Sequence, residues 1–314
     1  MDRTLVAAAI FGLSLLMSPA LAHPGHTPDA NPNSLEECTL PQGWTEVEER
    51  DPRFVVFGEL HGTNEAPQLI EDIVCALAER GESVLLAIEI NSNENDALQD
   101  AWRGTHDQFT DALEDAGWRG RSDGVASLAM AELVTRAHAL KSSGFNVAVT
   151  AFNGAKDDEQ SAQFADLPGQ GPHEAAQAAN IAAATEQGRF DRVIVLVGSL
   201  HARLSPVTMG DTTFEPMAQK LNAYGSVIGL TMINAPGTSW NCQLDPAVEF
   251  VPGEPLPPDA VKCGEYRAGG LPDLERAPFI SFDAYPGRER DERFDGFFWV
   301  GPISASAPAF PAEE

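Results

Sequence analysis

Five short apolar runs constrain this chain more than anything else in it: FVVFGEL (54–60), SVLLAIEI (83–90), FNVAVTAF (145–152), RVIVLVGS (192–199) and SVIGLTMIN (226–234). Most are apolar at consecutive positions, as strands buried on both faces are, rather than alternating like a half-exposed sheet. Helical patterns separate them. After the first run, Leu69, Ile70, Ile73, Val74, Leu77 and Ala78 recur at helical spacing, with Pro67 suited to the first turn and Gly81 to the end. Further helical patterns cover 125–140, about 173–186 and 217–223. This alternation predicts an α/β fold with a mainly parallel central sheet, right-handed crossovers and helices on both faces. A polar insert rich in Trp, Asp and Gly (91–124) reads as a lid. A Pro- and Gly-rich C-terminal extension (about 236–314) is expected to add edge strands, from FISFDAY and FFWVGPIS, or a small subdomain.

Residues 1–22 combine Arg3, an apolar run from Leu5 to Met17 and small residues at Ala20 and Ala22, the pattern of a secretory signal peptide. Residues 23–50 come next as a leader, partly disordered, and 51–314 form a single domain. No later stretch approaches 18 apolar residues, so no integral membrane segment is expected, and the product is read as periplasmic or secreted. An oxidising compartment allows Cys38, Cys75, Cys242 and Cys263 to form two disulfides, with three possible connectivities. Cys242 and Cys263 bracket a Pro/Gly-rich stretch that gains order from a cross-link, which favours that pair and leaves Cys38 with Cys75.

With 20 Lys and Arg against 47 Asp and Glu, the formal net charge is −27. Such a field repels phosphate backbones and anionic lipid headgroups, so nucleic acid is excluded as a partner. A small molecule or a peptide remains the expected substrate.

Ligands of open α/β sheets sit outside the carboxyl ends of the strands, so the residues that close each apolar run carry the chemistry. The first run closes in Gly58-Glu59-Leu60-His61-Gly62-Thr63-Asn64-Glu65, the second in Glu89, the third in Asn153 and the fourth in Gly198-Ser199-Leu200-His201. Chance alone gives about 0.6 copies of Gly-x-x-His in a chain of this composition, so one copy is uninformative. Two copies, each closing a buried run at a glycine turn, carry weight. Two histidines and at least two carboxylates on one rim can polarise a water, with or without a divalent metal. Imidazole and carboxylate ligands suit Mn, Co, Zn or Fe. Ser199 lacks the G-x-S-x-G elbow of a serine nucleophile.

The succession GELHGTNEAP, AIEI, HEAAQAANI and VLVGSLHARL, over roughly 53–205, resembles the superfamily uniting ChaN-like haem-uptake proteins, Tiki metalloproteases and erythromycin esterase-like hydrolases. The resemblance implies an α/β core with its site at the carboxyl edge of the sheet. It implies that Glu59, His61, Glu89 and His201 match functional, metal-binding or catalytic positions, that Glu65 matches the second acid of an HGxxE pattern, and that Arg121 matches a basic residue. His173 and Gln177-Ala178 stand where the family's helix often has Arg and Met-Ala, a departure that bears on any substrate-anion contact there. Two readings are open: an exported hydrolase of ester or peptide bonds, with His61 or His201 as general base or as a metal ligand, and a haem- or metal-binding uptake protein without turnover. Haem-binding members use tyrosine, whereas Tyr224, Tyr266 and Tyr285 all lie outside the shared motifs. A third, a secreted interaction domain with a degenerate site, predicts that removing both histidines changes only stability.

Overall fold

The computed structural model describes residues 38–248, 257 and 260–311. The segment read as a signal peptide and most of the leader lie outside the described residues. The leader's last part is folded: α1 (Trp44–Glu49) buries Trp44 and Val47, and Cys38 is bonded to Cys75. The domain therefore reaches back at least to Cys38 rather than starting at 51.

In chain order, β1 (Phe54–Glu59) is followed by α2 (Glu65–Glu79) and β2 (Val84–Asn91), a first βαβ unit. The insert supplies α3 (Asn95–Arg103) and α4 (His106–Leu113), and then come α5 (Leu128–Ser142) and β3 (Val147–Asn153). Next are α6 (Asp158–Phe164), α7 (Gly171–Thr185) and β4 (Arg192–Gly198). A small hairpin, β5 (Val207–Met209) and β6 (Thr212–Phe214), precedes α8 (Met217–Leu221) and β7 (Val227–Ala235). The chain closes with the hairpin β8 (Gly237–Leu244) and β9 (Val261–Ala268), then β10 (Phe279–Ser281) and β11 (Gly296–Pro302).

Seven strands form one sheet in the order β10-β11-β7-β1-β4-β2-β3, parallel except for β10. Every residue of β1 is buried, which explains the unbroken apolar run. Phe54 and Val56 point to the face covered by α7 and α8, where they join Ile181, Met217 and Leu221. Successive strand side chains point to opposite faces, so Val55 and Phe57 meet the other layer, where α2 packs against α5 and Phe57 meets Phe298 edge-to-face.

Two expectations are revised. The insert packs as part of the core instead of hanging over it, because Leu98, Trp102, Phe109, Leu113 and Trp118 are buried, with α3 on β3 and α4 on α5. FFWVGPIS is no edge strand: β11 pairs with β7 in parallel, and only β10 takes the edge.

Chain order and spatial order part company at β4. It lies between β1 and β2, with Glu59 in register with Gly198 and Ile88 with Leu196. The carboxyl ends of β1, β4 and β2 are thus level, and the step from β3 back to β4 makes this the point where the winding reverses, the usual ligand crevice of such sheets.

Candidate active site

Glu59 is the last residue of β1, Glu89 lies near the end of β2, and His201 comes three residues after β4. Glu59 and Glu89 flank Gly198 from either side. A Cβ on Gly198 would lie 2.7 Å from His61 Nε2 and 3.6 Å from Glu89 Oε2. The missing side chain is the space through which His61 reaches across β4. Its Nδ1 contacts Glu59 Oε1 at 2.9 Å and its Nε2 faces Glu89 Oε2 at 3.3 Å. The Gly198 backbone N–H donates to the same Glu89 oxygen at 2.7 Å.

The turn that carries His61 is held from three sides. Gly62 has φ +70° and a Cβ there would sit 2.0 Å from the Trp240 carbonyl oxygen, so only glycine fits. Its own carbonyl accepts from the backbone N–H of Trp240 and of Ser306, at 2.8 and 2.9 Å. Gly124, just after Arg121, packs so closely that its Cβ would lie 2.6 Å from the Gly62 backbone. The C-terminal extension is thus part of the frame of the site.

Burial pushes charge out of this cluster while the partners hold it in. Burial would lower the His61 imidazole, but the Glu89 charge and the hydrogen bonds to Glu59 and Glu89 outweigh it and leave the group well above its usual 6.5. Burial likewise raises Glu89, yet the His61 charge and hydrogen bond, the His201 charge and the Gly198 N–H carry it down to about 2. Glu59 moves up from 4.5, because burial there exceeds what His61 returns. His61 is clamped between two acids that favour its charged form.

His201 is placed differently. Its Nδ1 lies 2.7 Å from Glu174 Oε1, and the other oxygen of Glu174 accepts from the Met217 backbone N–H at 2.7 Å. Its Nε2 faces Glu89 Oε1 at 3.6 Å, too far for a direct hydrogen bond, which leaves that nitrogen open to a ligand. Burial lowers His201, while the hydrogen bond to Glu174 and the charges of Glu89 and Glu174 raise it further, for a net rise above 6.5.

Glu174 is a member of this cluster that the strand-end positions do not include. It is fully buried on α7, in a row with Gln177, Ala178 and Ile181 at i, i+3, i+4 and i+7, all buried. An acid on the apolar row of an alanine-rich helix is the signal that was available.

Two expected members stand elsewhere. Glu65, the first residue of α2, accepts from the Ser304 backbone N–H at 3.0 Å and the Ser304 hydroxyl at 2.6 Å, and so fastens the C-terminal segment. Arg121 forms a two-pronged pair with Asp123, at 2.8 and 3.2 Å, and lines a polar cavity of about 540 Å³ with Asn91 and Glu94. That cavity adjoins the end of β2 without joining the histidine cluster.

The donor atoms of Glu59, His61, Glu89 and His201 do not supply three ligands within 4.8 Å of one another. Among the described residues that spacing is met by Cys38, Cys75 and Glu79, whose sulfurs are joined in a disulfide. As placed, the four side chains pair acids with imidazoles. The Tyr266 and Tyr285 hydroxyls donate to the backbone at Lys262 and Pro272, and Tyr224 is exposed beside α8. Both expected disulfides are present, Cys38–Cys75 and Cys242–Cys263. No helix among the described residues is long and apolar enough to cross a membrane.

No family model and no curated protein matches the chain. Solved structures do. An erythromycin esterase mutant in its open conformation, EreC, superposes with a TM-score of 0.53 at 12% identity, covering 84% of this chain and 95% of that one. A protein from Bacillus cereus gives 0.53 at 12% identity over 86% and 96%. A succinoglycan biosynthesis protein gives 0.54 at 11% over 84% and 92%. At these identities the likeness is one of fold: the chain shares its α/β architecture with these three structures.

Proposed function

We propose that this protein is an exported hydrolase of ester or peptide bonds, with His201 as the general base. One observation carries the reading: His201 is oriented by buried Glu174 through Nδ1 and presents an uncommitted Nε2 at the carboxyl edge of the sheet. An imidazole fixed on one side by a carboxylate and open on the other is the arrangement general-base catalysis requires. His61, with both nitrogens facing acids, is unsuited to accept a proton and serves as a fixed positive charge beside the reacting atoms. The esterase-like fold supports the reaction class, and two disulfides accord with export to an oxidising compartment.

In this reading His201 Nε2 takes a proton from a water molecule as its oxygen bonds to the substrate carbonyl carbon. The carbonyl oxygen becomes an oxyanion. When the tetrahedral species collapses, the C–O or C–N bond to the leaving group breaks and the His201 proton passes to it, giving an acid and an alcohol or amine. Because its neighbours raise His201, the rate climbs with pH through a value above 6.5.

The test is a panel of esters and peptides hydrolysed by the mature protein, with metal content measured on the same sample. His201→Asn is expected to lose turnover by about 10²–10⁴-fold while its circular dichroism is unchanged. Wild-type turnover in that variant overturns the assignment, and stoichiometric metal lost together with activity on chelation replaces it with a metallohydrolase.

A further inference from the structure

Beside His201 stands a third imidazole that this reaction has not used. His173, on the first turn of α7, has its ring centre 5.8 Å from that of His201. Its tautomer can be read from a chain of side-chain amides. Asn153, at the end of β3, donates through Nδ2 to Asn91 Oδ1 at 3.4 Å, which turns its own Oδ1 toward α7. The Gln177 Nε2 donates to that oxygen at 2.8 Å and lies 2.9 Å from His173 Nε2. An amide nitrogen only donates, so His173 Nε2 must be the acceptor and the ring proton sits on Nδ1. Turning the Gln177 amide over would set its oxygen against Asn153 Oδ1. Gln177 is fully buried, and its Oε1 has no partner among the described residues.

The Nδ1–Cε1 edge of His173 lies over Gly154, which has φ +70°. A Cβ there would touch both ring atoms at 3.4 Å, so glycine keeps that edge clear. Burial and the His201 charge also hold the ring below its usual 6.5, in agreement with a neutral imidazole.

Building on the hydrolase reading, we propose that His173 is a catalytic residue whose Nδ1–H donates a hydrogen bond to the substrate carbonyl oxygen as it becomes an oxyanion, with Gln177 and Asn153 as positioning residues that fix its tautomer. A preset neutral donor pays no reorganisation when the charge develops, and the loss of one such donor typically costs about 10²–10³ in kcat. It also sets the substrate class. A neutral donor recognises an uncharged carbonyl and offers no attraction to a carboxylate or phosphate, and the three acids of the site repel both. The substrates are uncharged esters or amides at the scissile group.

The test joins spectroscopy to kinetics. Two-bond ¹⁵N–¹H correlation spectra of histidine-labelled protein, assigned with His173→Phe, should show His173 with a protonated Nδ1 and a bare Nε2 at pH 7. A proton on Nε2, or on both nitrogens, overturns the inference. In Gln177→Glu the carboxylate should pull a proton onto Nε2, which the same spectrum reads, while kcat falls and KM stays. His173→Phe should lose about 10²-fold in kcat, and His173→Gln, which keeps an N–H, should recover part of it. Hydrolysis at the wild-type rate in His173→Phe sinks the donor role alone. Absence of turnover in the wild type sinks the hydrolase reading and the donor role with it, and leaves the tautomer to stand or fall on the spectrum.

Discussion

At the scale of single residues, the site is a set of charges that burial would disperse and pairing retains. Glu174 shows this most sharply. It has no exposure to solvent, and its two oxygens are divided between His201 and the start of α8. Glu174→Gln keeps the shape and the hydrogen bond to Met217 while removing the charge that stabilises His201 once it has taken a proton. The expected result is a kcat lower by about 10²–10⁴-fold, and an acid-side rise shifted down in pH because the raising influence of the Glu174 charge on His201 is gone. Steady-state rates over pH 5–9 would check both, and an unchanged pH profile would contradict the pairing. Glu59, His61, Glu89 and His201 were legible in the sequence because strand-end positions after buried runs are few and polar residues there stand out. Glu174 and His173 were harder to see. Their roles depend on which turn of α7 faces the sheet edge, and an alanine-rich helix marks its buried face weakly.

At the scale of elements, the five main strands and their helices could be read because fully buried strands leave continuous apolar runs. The strands of the C-terminal extension in FISFDAY and FFWVGPIS could be read as well, but its place beside the His61 turn could not, since that is set by contacts made more than a hundred residues away. The hairpin β8–β9 is an example: Trp240 donates through its indole N–H to the Ser122 carbonyl at 2.9 Å and through its backbone to Gly62. Cys242 and Cys263 pair across the hairpin, and the Sγ of Cys263 lies 3.5 Å from the Ser122 hydroxyl. The disulfide therefore braces the loop that leans on the His61 turn. Replacing both cysteines by alanine should cost on the order of 2–4 kcal/mol in denaturant unfolding. It should also lower kcat by less than about tenfold, because the backbone bonds to Gly62 remain. A stability equal to wild type would mean that the hairpin holds its place without the cross-link. The hairpin β5–β6 went unread for another reason: its strands are three residues each, too short to show alternation, although Gly210-Asp211 marks the turn.

For the whole molecule, the pH dependence of stability separates the cluster from the general acidity of the chain. A net charge of −27 opposes compaction at every pH above the carboxylate range, but this is common to wild type and to Glu89→Gln within one charge, so their difference isolates the site. Glu89 falls from 4.5 to about 2 on folding. Its contribution is complete above 4.5 and is lost as the pH drops through about 2. His61 rises above 6.5, so its share is complete below 6.5 and disappears as the pH climbs through the folded value. The two signs define a window. The stability of wild type over Glu89→Gln should be greatest between pH 4.5 and 6.5 and decline on either side: toward acid as Glu89 takes a proton, and toward alkali as His61 gives one up. Thermal unfolding of both proteins from pH 3 to 10 would trace that difference. A flat difference would show that Glu89 acts through its hydrogen bond to Gly198 alone and not through the paired charges. The cation between β1 and β2, on which the hydrolytic reading relies to balance a developing oxyanion, would then be absent.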